Sequence, residues 1–470
     1  MPGRERDVEA AVTAALGRFY RDRRVVLVGG PLSQYADRVD ALLRHGARPP
    51  FAVANGTGAG GAPEGLAGHR EITADMNSFL AHRAGVAAVL GAPPDDVRAA
   101  VAAYDPDRDA IVLAEPSSAA AELDGRPVVD AQRPAWTRYE DPTAVDAFFD
   151  DSGIARLPSS VVAPAAGPLA AAVAERDLGY GVLCEGAARG GGDPTMELAR
   201  WVADGEDCGP AADWLAARCA AVRVTPVLPG VHCAAHGFVL PDHVVVLHPY
   251  EVVVLRRGDR PHVAGCSTYA RFATDEVAAV LGAAARVGGE LRRRAGLRGA
   301  FSVSGVLGAS GFLATSVWTR FTSAHALAAH RTPELSLPLL HAALVAGQPL
   351  DVAGPDLERY LRDRVTSAPG AVVSVPTARG PAGEQRTLWL SLEDGRLRAT
   401  EAGAHSDGCV VHVPVGSAGK AVLIAGPALA GPGGFMTGAV VDACATVDRA
   451  WELGIGATPP PAARRGRGVV

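Results

Sequence analysis

The densest pattern of β-branched and apolar residues lies between residues 222 and 320. Five segments there have the composition of strands, and they cover 222–228, 232–240, 244–257, 300–307 and 311–320. Pro-Gly, Pro-Asp and Ala-Ser-Gly sequences stand between neighbouring segments, and short turns of this kind favour antiparallel pairing. The pattern therefore predicts an antiparallel sheet with a helix packed on it, which is an α+β layer.

That helix is predicted between the third and fourth of these strands. Its apolar positions recur at helical spacing, namely Val277, Val280, Leu281, Ala284, Val287 and Leu291. Thr274 is the expected N-cap, and acidic residues follow it in the first turn, where the helix dipole favours them. Three arginines fill the last turn, and Gly296 is the expected residue that ends the helix.

The first 135 residues alternate between apolar runs and amphipathic segments, which predicts an α/β domain over 1–135. Predicted helices cover 7–22, 33–45, 75–90 and 94–104, and predicted strands cover 24–30 and 110–114. Gly29 and Gly30 end the first strand, so a dinucleotide site is one alternative. The third glycine of the G-x-G-x-x-G pattern is missing, and no acidic residue ends a second strand. A strand–turn–helix unit without that cofactor is the favoured interpretation.

Past residue 330 the pattern changes again. Helices are predicted near 335–347 and 355–366, and a hairpin over 387–400 has Asp394-Gly395 at its turn. Further strands at 410–415 and 421–425 and a helix over 438–453 complete a predicted α+β domain over 331–456. The proline- and arginine-rich residues 457–470 are predicted to form a disordered tail.

Composition narrows the class of protein. The 470 residues are 48% hydrophobic and 20% charged, with a net charge of −6, so there is no basic surface signature for nucleic acid. No apolar run approaches the roughly 20 residues that span a bilayer, so no membrane partner is expected. The N-terminus has no apolar signal region, and the seven cysteines show no C-x-x-C spacing. These features predict a cytoplasmic protein with reduced thiols.

Almost all basic residues of the chain are arginines. Of the 45 lysines and arginines only Lys420 is a lysine, so a phosphate site earlier in the chain must use arginine, histidine or backbone amides. The glycine-rich segment 179–193 is a candidate, with Arg189 followed by Gly190, Gly191 and Gly192, although by itself the pattern does not outweigh an ordinary loop. An ordinary hairpin loop is the alternative for this segment.

Three segments also carry a family resemblance: VRVTPVLPGVHCAAHGFVLPD (222–242), HPYEVVVLRR (248–257) and RGAFSVSGVLGASGFLATSVWTR (298–320). They resemble the C-terminal half of an ATP-grasp domain, and most of all the actinobacterial subgroup with the peptide ligase of pheganomycin biosynthesis. The resemblance extends from about residue 24 to about residue 455. It implies a nucleotide-binding module over 136–330, divided into 136–221 and 222–330. It also implies a ligase that activates a carboxylate with ATP as an acyl phosphate, which an amine then attacks.

The resemblance assigns roles to particular residues. It places Thr225, Val227 and Leu228 beside adenine and His232 beside the ribose. It makes Arg320 the arginine that stabilises the acyl phosphate. Glu251 matches a glutamate of the long central strand, and Arg256 follows it. A cross-strand ion pair between Glu251 and Arg256, and a half-buried strand histidine at 232, are the alternatives without a nucleotide.

The sequence departs from the family pattern where metal and phosphate are bound. Ser304, Ser316 and Trp318 stand where the family has Asp, Glu and Asn, and Pro142 stands where it has a lysine. Serine hydroxyls are neutral and bind Mg²⁺ weakly without carboxylates beside them. His232 and His236 are no substitute, because four residues along a strand separate them by about 13 Å.

Two classes of function follow. The first is an ATP- and Mg²⁺-dependent carboxylate–amine ligase for a small molecule or peptide, with metal ligands recruited from Glu185, Asp193 or Glu251. The second is a degenerate ATP-grasp protein that binds a nucleotide, a peptide or a partner ligase without turnover. A homodimer is compatible with either class. An NAD-dependent oxidoreductase rests on Gly29 and Gly30 alone and is disfavoured.

Overall fold

The computed structural model describes residues 2–58, 60–73, 78–115, 118–187, 196–203, 208–378, 385–402, 406–415 and 418–460. Along the described chain come a parallel sheet, a four-stranded antiparallel sheet and a long antiparallel sheet. Helices pack against each of them. This arrangement confirms the predicted combination of an α/β N-terminal region with α+β layers.

The N-terminal region alternates helices with parallel strands. Its elements are α1 (Pro2–Tyr20), β1 (Val25–Val28), α2 (Ala36–Arg44), β2 (Phe51–Asn55), β3 (Gly68–Ile72), α3 (Phe79–Gly91), α4 (Asp95–Tyr104), β4 (Ile111–Leu113), β5 (Glu122–Leu123) and β6 (Arg126–Pro127). The parallel strands lie in the order β3-β2-β1-β4. Every residue of β1 and β2 is buried, as expected for a parallel sheet with both faces covered.

The next segment forms a small antiparallel sheet with helices on one side. Its elements are α5 (Pro134–Thr137), α6 (Val145–Asp151), β7 (Ser160–Val162), α7 (Ala166–Arg176), β8 (Val182–Gly186), β9 (Ala199–Val202), α8 (Gly209–Ala216) and β10 (Val222–Pro226). The strand order is β7-β10-β8-β9. The expected division at residue 222 therefore needs correction, because β10 pairs with β7 and β8 of this sheet rather than with the strands that follow it.

The long sheet begins in the following segment. The elements there are β11 (Val231–Val239), β12 (Val244–Val246), β13 (Tyr250–Arg257), β14 (Arg260–Ser267), α9 (Thr274–Ala295), β15 (Gly299–Gly308), β16 (Gly311–Trp318), α10 (Ser323–Arg331), α11 (Leu337–Val345) and α12 (Gly354–Ser367). The predicted strand 244–257 is two strands, since Pro249 between β12 and β13 has no amide hydrogen for a ladder. Strand β14 was not predicted.

The sheet continues into the C-terminal region. Its elements are β17 (Ala371–Thr377), β18 (Arg386–Glu393), β19 (Arg396–Thr400), β20 (Gly408–Val415), β21 (Ala418–Ala425) and α13 (Thr437–Trp451). The full order is β16-β15-β11-β13-β14-β17-β21-β20-β18-β19, with β12 paired to β11. Because β14 and β17 are hydrogen-bonded neighbours, the sheet crosses the predicted boundary at residue 330.

The ends of helix α9 and the β18–β19 turn lie at or within one residue of their predicted positions. Helix α9 begins at Thr274, but its N-cap is Ala273, whose amide donates to the Glu276 carboxylate at 2.7 Å, so the predicted cap was one residue late. Gly296 ends the helix in the left-handed region, as predicted. Asp394 and Gly395 both have positive φ at the β18–β19 turn, which confirms that hairpin.

The prediction of a disordered tail from residue 457 is wrong for its first residues. Thr458 is buried, and the carbonyl of Pro459 accepts a hydrogen bond from the Arg256 amide at 2.9 Å. The remaining residues of that prediction, 461–470, lie outside the described residues.

Candidate functional site

A cleft lies between the small antiparallel sheet and the long sheet. It contains about 1190 Å³ of space, part of which is open to solvent. Strands β8, β9 and β10 form one wall, and β11, β13, β14, β15 and β16 form the other. The cleft is thus enclosed by two sheets whose inward-facing side chains determine what it can hold.

One half of the cleft is apolar. Alternation along β13 directs Val252 and Val254 into it, while Val253 and Leu255 point into the C-terminal core. The other apolar side chains of this half are Leu183, Ala199, Val227, Leu228 and Val263. Apolar walls of this kind are typical of sites that bind the apolar part of a small molecule.

The residues predicted to contact a nucleoside reach this part of the cleft. Thr225, Val227 and Leu228 line it at the end of β10, and His232 lines it at the start of β11. Burial lowers the pKa of His232 to about 4, so the imidazole is neutral near pH 7. The cleft therefore gains no positive charge from this histidine.

Ser304, Ser316 and Trp318 lie together on the opposite wall. Ser304 and Ser316 are directly paired across β15 and β16, and Trp318 follows on the same face of β16. The three positions that the resemblance assigns to metal binding thus lie close together on one wall, but their side chains are two hydroxyls and an indole. Among the described residues, no group of three or more His, Cys, Asp or Glu side chains could hold a metal ion. Mg²⁺ does not fit these two hydroxyls and an indole, because it prefers carboxylate oxygens and none of the three side chains carries one.

Arg320 is buried behind this wall. Its Nη1 lies 2.6 Å from Oε2 of Glu140, and its guanidinium stacks 4.9 Å from the ring centre of Trp318. The other Glu140 oxygen accepts from the side chain of Gln132 at 2.8 Å and from the amide of Thr319 at 2.7 Å. Glu140 itself lines the cleft, but its side chain has no exposed surface. Arg320 therefore uses Nη1 in an ion pair within the wall, while its buried Nη2 has no hydrogen-bond partner among the described residues.

Arg223 is a site residue that the sequence reasoning missed. It lies on β10 in the cleft wall and its side chain is 1% exposed. Its Nη2 and Nε lie 2.6 and 3.0 Å from the two carboxylate oxygens of Asp146, and Nη1 donates to the carbonyl of Thr315 at 2.9 Å. Glu185 lies directly opposite on β8, 3.6 Å from Nη1. An arginine inside a run of valines was the available signal, because a buried guanidinium requires a carboxylate partner.

Glu251 and Arg256 do not line the cleft. Glu251 alternates onto the far face of β13, where it accepts from the amides of Met436 and Thr437 at 2.6 and 3.0 Å, at the start of α13. A carboxylate at a helix N-terminus is a stabilising arrangement. Arg256 is buried and stacks on Trp201, 3.9 Å from the ring centre. Glu251 is therefore held by hydrogen bonds at the start of α13 and Arg256 by an aromatic contact, and neither side chain lines the cleft.

Other predicted positions have simpler outcomes. Arg189, Gly190, Gly191, Gly192 and Asp193 lie outside the described residues. The seven cysteines are all free thiols. Within the described part of the chain, no helix combines the length and apolarity needed to cross a bilayer.

Known structures with the same arrangement of sheets were found by comparison. The chain matches the biotin carboxylase domain of a 2-oxoglutarate carboxylase from Hydrogenobacter thermophilus at 13% identity, over 86% of each chain, with a TM-score of 0.53. It matches a biotin carboxylase from Campylobacter jejuni at 12% identity, over 86% of this chain and 87% of that one, also with a TM-score of 0.53.

A third match covers almost the whole length of the matched structure. It is an N5-carboxyaminoimidazole synthase from Aspergillus clavatus in complex with ADP, matched at 12% identity over 91% of this chain and 98% of that chain, with a TM-score of 0.50. No protein-family model and no curated protein matches the sequence. At these identities the similarity concerns the fold, and enzymes of this kind share the ATP-grasp architecture. The chain therefore has an ATP-grasp fold.

Proposed function

We propose that this protein is a non-catalytic ATP-grasp protein whose cleft binds a flat, adenine-like ligand without Mg²⁺-dependent phosphoryl transfer. The observation that carries the proposal is the set of side chains at the metal positions. Ser304, Ser316 and Trp318 line the cleft together, and none of them is a carboxylate. Phosphoryl transfer in this fold depends on a cation that neutralises the phosphates, whereas a ring slot depends only on shape and apolar surface.

The ring slot supports binding. Its apolar side chains are held on paired strands, β8 with β10 and β13 with β14, so their positions are fixed before a ligand arrives. A preformed site avoids the entropic cost of ordering the protein on binding. The slot therefore meets the requirements for recognition even though the metal positions do not meet those for catalysis.

Binding and turnover can be tested separately. Calorimetry should detect binding of adenosine to the purified protein, and Leu183→Trp, which fills the slot, should abolish it. ADP release from ATP and Mg²⁺ should stay at background across a panel of amino acids and short peptides. Mg²⁺-dependent ADP release with any acceptor would contradict the proposal, and so would the absence of adenosine binding.

A direct test of the metal positions uses a gain of function. The triple variant Ser304→Asp, Ser316→Glu, Trp318→Asn restores the residues that the family pattern has at these positions. We expect the variant to bind Mn²⁺, as measured by electron paramagnetic resonance, and the unmodified protein not to bind it in the cleft. Equal Mn²⁺ binding by both proteins would show that the metal ligands lie elsewhere.

A second candidate is favoured by the extent of the fold. Because the similarity to the Aspergillus clavatus synthase covers 98% of that chain, the whole architecture of an ATP-dependent enzyme is present. On this alternative the protein is a carboxylate–amine ligase that forms a peptide bond on a small amino-acid-like substrate in secondary metabolism. Glu185 is the one described carboxylate among the acids considered for a rebuilt metal site that also lines the cleft. The ADP-release assay separates this candidate from the first.

A further inference from the structure

A groove separate from the cleft lies between α2 on one side and α10 and α11 on the other. It contains about 1900 Å³ of space, part of which is open to solvent, and it shares no lining residue with the cleft. Its apolar side chains include Ala41, Leu43, Ala329, Pro333 and Leu339. The groove therefore has room and apolar surface for the carbon chain of a small molecule.

Ser336 lines this groove in a strained backbone conformation. It immediately precedes α11, with φ of 46° and ψ of 52°, in the left-handed region. A side chain makes this region costly, and glycine would avoid the cost. Strained turns that lead into a helix are the usual position of a nucleophilic serine, because the turn holds the hydroxyl away from the chain. The backbone of Ser336 thus has a feature that goes with reactivity.

His45 provides a base for the Ser336 hydroxyl. Its Nε2 lies 3.2 Å from Oγ of Ser336, so the contact joins the end of α2 to the start of α11. Burial, with a smaller effect of Arg44, lowers the pKa of His45 to about 4, so the imidazole is neutral near pH 7 and can accept a proton. Nδ1 of His45 has no hydrogen-bond partner among the described residues. The two side chains therefore have the geometry of a nucleophile–base pair without a third member.

The amide of Leu337 is a donor for the charge that develops on an ester carbonyl. Leu337 is the first residue of α11, so its N–H has no partner within the helix, and no hydrogen bond from it is found among the described residues. The amide of Leu339, in contrast, donates to the carbonyl of Ser336 at 2.8 Å. In hydrolases with a serine at such a turn, the amide of the residue after the serine forms part of the oxyanion hole.

We propose that Ser336 and His45 form an acyl-transfer site that hydrolyses carboxylic esters with a small apolar acyl group. The inference is independent of the proposed function, because neither residue lines the cleft. The groove supplies the apolar surface for the acyl chain, Ser336 the nucleophile and Leu337 the amide that stabilises the oxyanion.

The reaction balances with water as the second reactant. Nε2 of His45 takes the proton of Oγ while Oγ of Ser336 bonds to the ester carbonyl carbon. The bond from that carbon to the alcohol oxygen then breaks, and the proton passes from His45 to the leaving alcohol. Water attacks the acyl group on Ser336 and gives a proton to His45, which returns it to Oγ as the carboxylic acid leaves.

The reactive serine can be identified with p-nitrophenyl butyrate and a fluorophosphonate probe. We expect the purified protein to release p-nitrophenol, and we expect the probe to label Ser336, as located by mass spectrometry of a digest. Ser336→Gly should lose both signals and still fold, because glycine adopts the left-handed conformation without strain. Ser323→Ala is the matched control, since Ser323 is an exposed serine at the start of α10 that does not line the groove. Its signals should equal those of the unmodified protein.

His45→Gln separates the chemistry from the packing. Glutamine can still form a hydrogen bond with Ser336 but cannot take its proton, so we expect p-nitrophenol release to fall by about 100-fold or more. Equal rates in His45→Gln and the unmodified protein would show that the contact only joins α2 to α11, and the inference would be overturned. Labelling confined to other residues, or the absence of either signal from the unmodified protein, would also overturn it. Adenosine binding in the cleft does not depend on these results, so the proposed function is tested separately.

Discussion

At the scale of single residues, two buried arginines of the described cleft walls, Arg223 and Arg320, each form an ion pair with a carboxylate. Arg320 is bound to Glu140 and Arg223 to Asp146, both in nearly complete burial. A planar guanidinium can satisfy a carboxylate and a carbonyl at once, which a lysine ammonium does less well. These arginines therefore hold the walls in place through their ion pairs, and their side chains are only 1% and 4% exposed.

Replacing Arg320 by alanine tests this structural role. The substitution leaves the Glu140 carboxylate buried without its cation, so we expect the free energy of unfolding to fall by about 3–5 kcal/mol. The hydrogen bonds from Gln132 and Thr319 to Glu140 remain, which favours the lower end of that range. Urea denaturation measures the change.

Arg293→Ala is the control for this prediction. Arg293 pairs with Glu290 on the surface of α9, with its side chain 64% exposed, and such pairs contribute about 0–1 kcal/mol. Equal destabilisation by the two substitutions would show that Glu140 does not depend on Arg320. Arg320 would then be free for the catalytic role that the family resemblance assigns to it.

At the scale of elements, the sequence pattern predicted features that depend on consecutive residues and missed features that depend on pairing between distant segments. The helical face of α9 and its end at Gly296 are properties of consecutive residues, and so is the Asp394-Gly395 turn. The sheet to which β10 belongs depends on pairing with β7 and β8, which strand composition does not specify. For the same reason Arg223 was missed, because its partner Asp146 lies 77 residues earlier.

The predicted site residues divide in the same way. Thr225, His232 and Ser304 reach the cleft because their positions along a strand fix the side they face. Glu251 is also on a strand near the cleft, but it has the opposite parity to Val252 and faces α13 instead. The resemblance located the strands correctly, and side-chain alternation decides which of their residues can meet a ligand.

Three buried histidines join β11 to α10 and α11, and they make stability depend on pH. The rings of His236 and His325 lie 5.2 Å apart, and the Nδ1 of His341 accepts the amide of Ala300 at 3.0 Å. Burial lowers the pKa of His325 to about 4 and that of His341 to about 3, and it holds the pKa of His236 well below its usual range.

We therefore expect the protein to lose stability in mild acid. The unfolded histidines have pKa values near 6.5, so below about pH 6.5 the unfolded chain binds more protons than the folded chain. Stability should fall as the pH drops from about 6.5 towards 4, by up to about 1.4 kcal/mol per pH unit for each histidine. Urea titrations at several pH values measure the slope, and His325→Asn should reduce it. An unchanged slope in that variant would mean that other groups cause the pH dependence.

At the scale of the whole molecule, the pairing of β14 with β17 joins the cleft to the C-terminal region. Strand β14 lines the cleft with Pro261 and Val263, and further along it pairs with β17 from Gly265 to Ser267. The C-terminal strands therefore extend the cleft wall sideways instead of forming a separate sheet. Because β14 both lines the cleft and pairs with β17, weakening the β14–β17 pairing should also alter the cleft.

Gly265 lies in β14 opposite Val373 of β17, so a substitution there tests whether the sheet unfolds as one unit. A Cβ at residue 265 would lie 2.1 Å from the carbonyl oxygen of Val372 and 2.8 Å from the Cα of Val373, so β17 would have to move away. We expect Gly265→Ala to lower stability by about 1–3 kcal/mol, as other overpacked sites do. It should also weaken ligand binding and speed hydrogen exchange in β14 and β17 together.

Gly282→Ala on α9 is the control. Its new methyl group meets nothing within 4 Å, so the free energy of unfolding of that variant should rise by about 0.5–1 kcal/mol. Faster exchange in β17 with an unchanged cleft would instead show that the C-terminal strands unfold independently of the wall to which they are bonded.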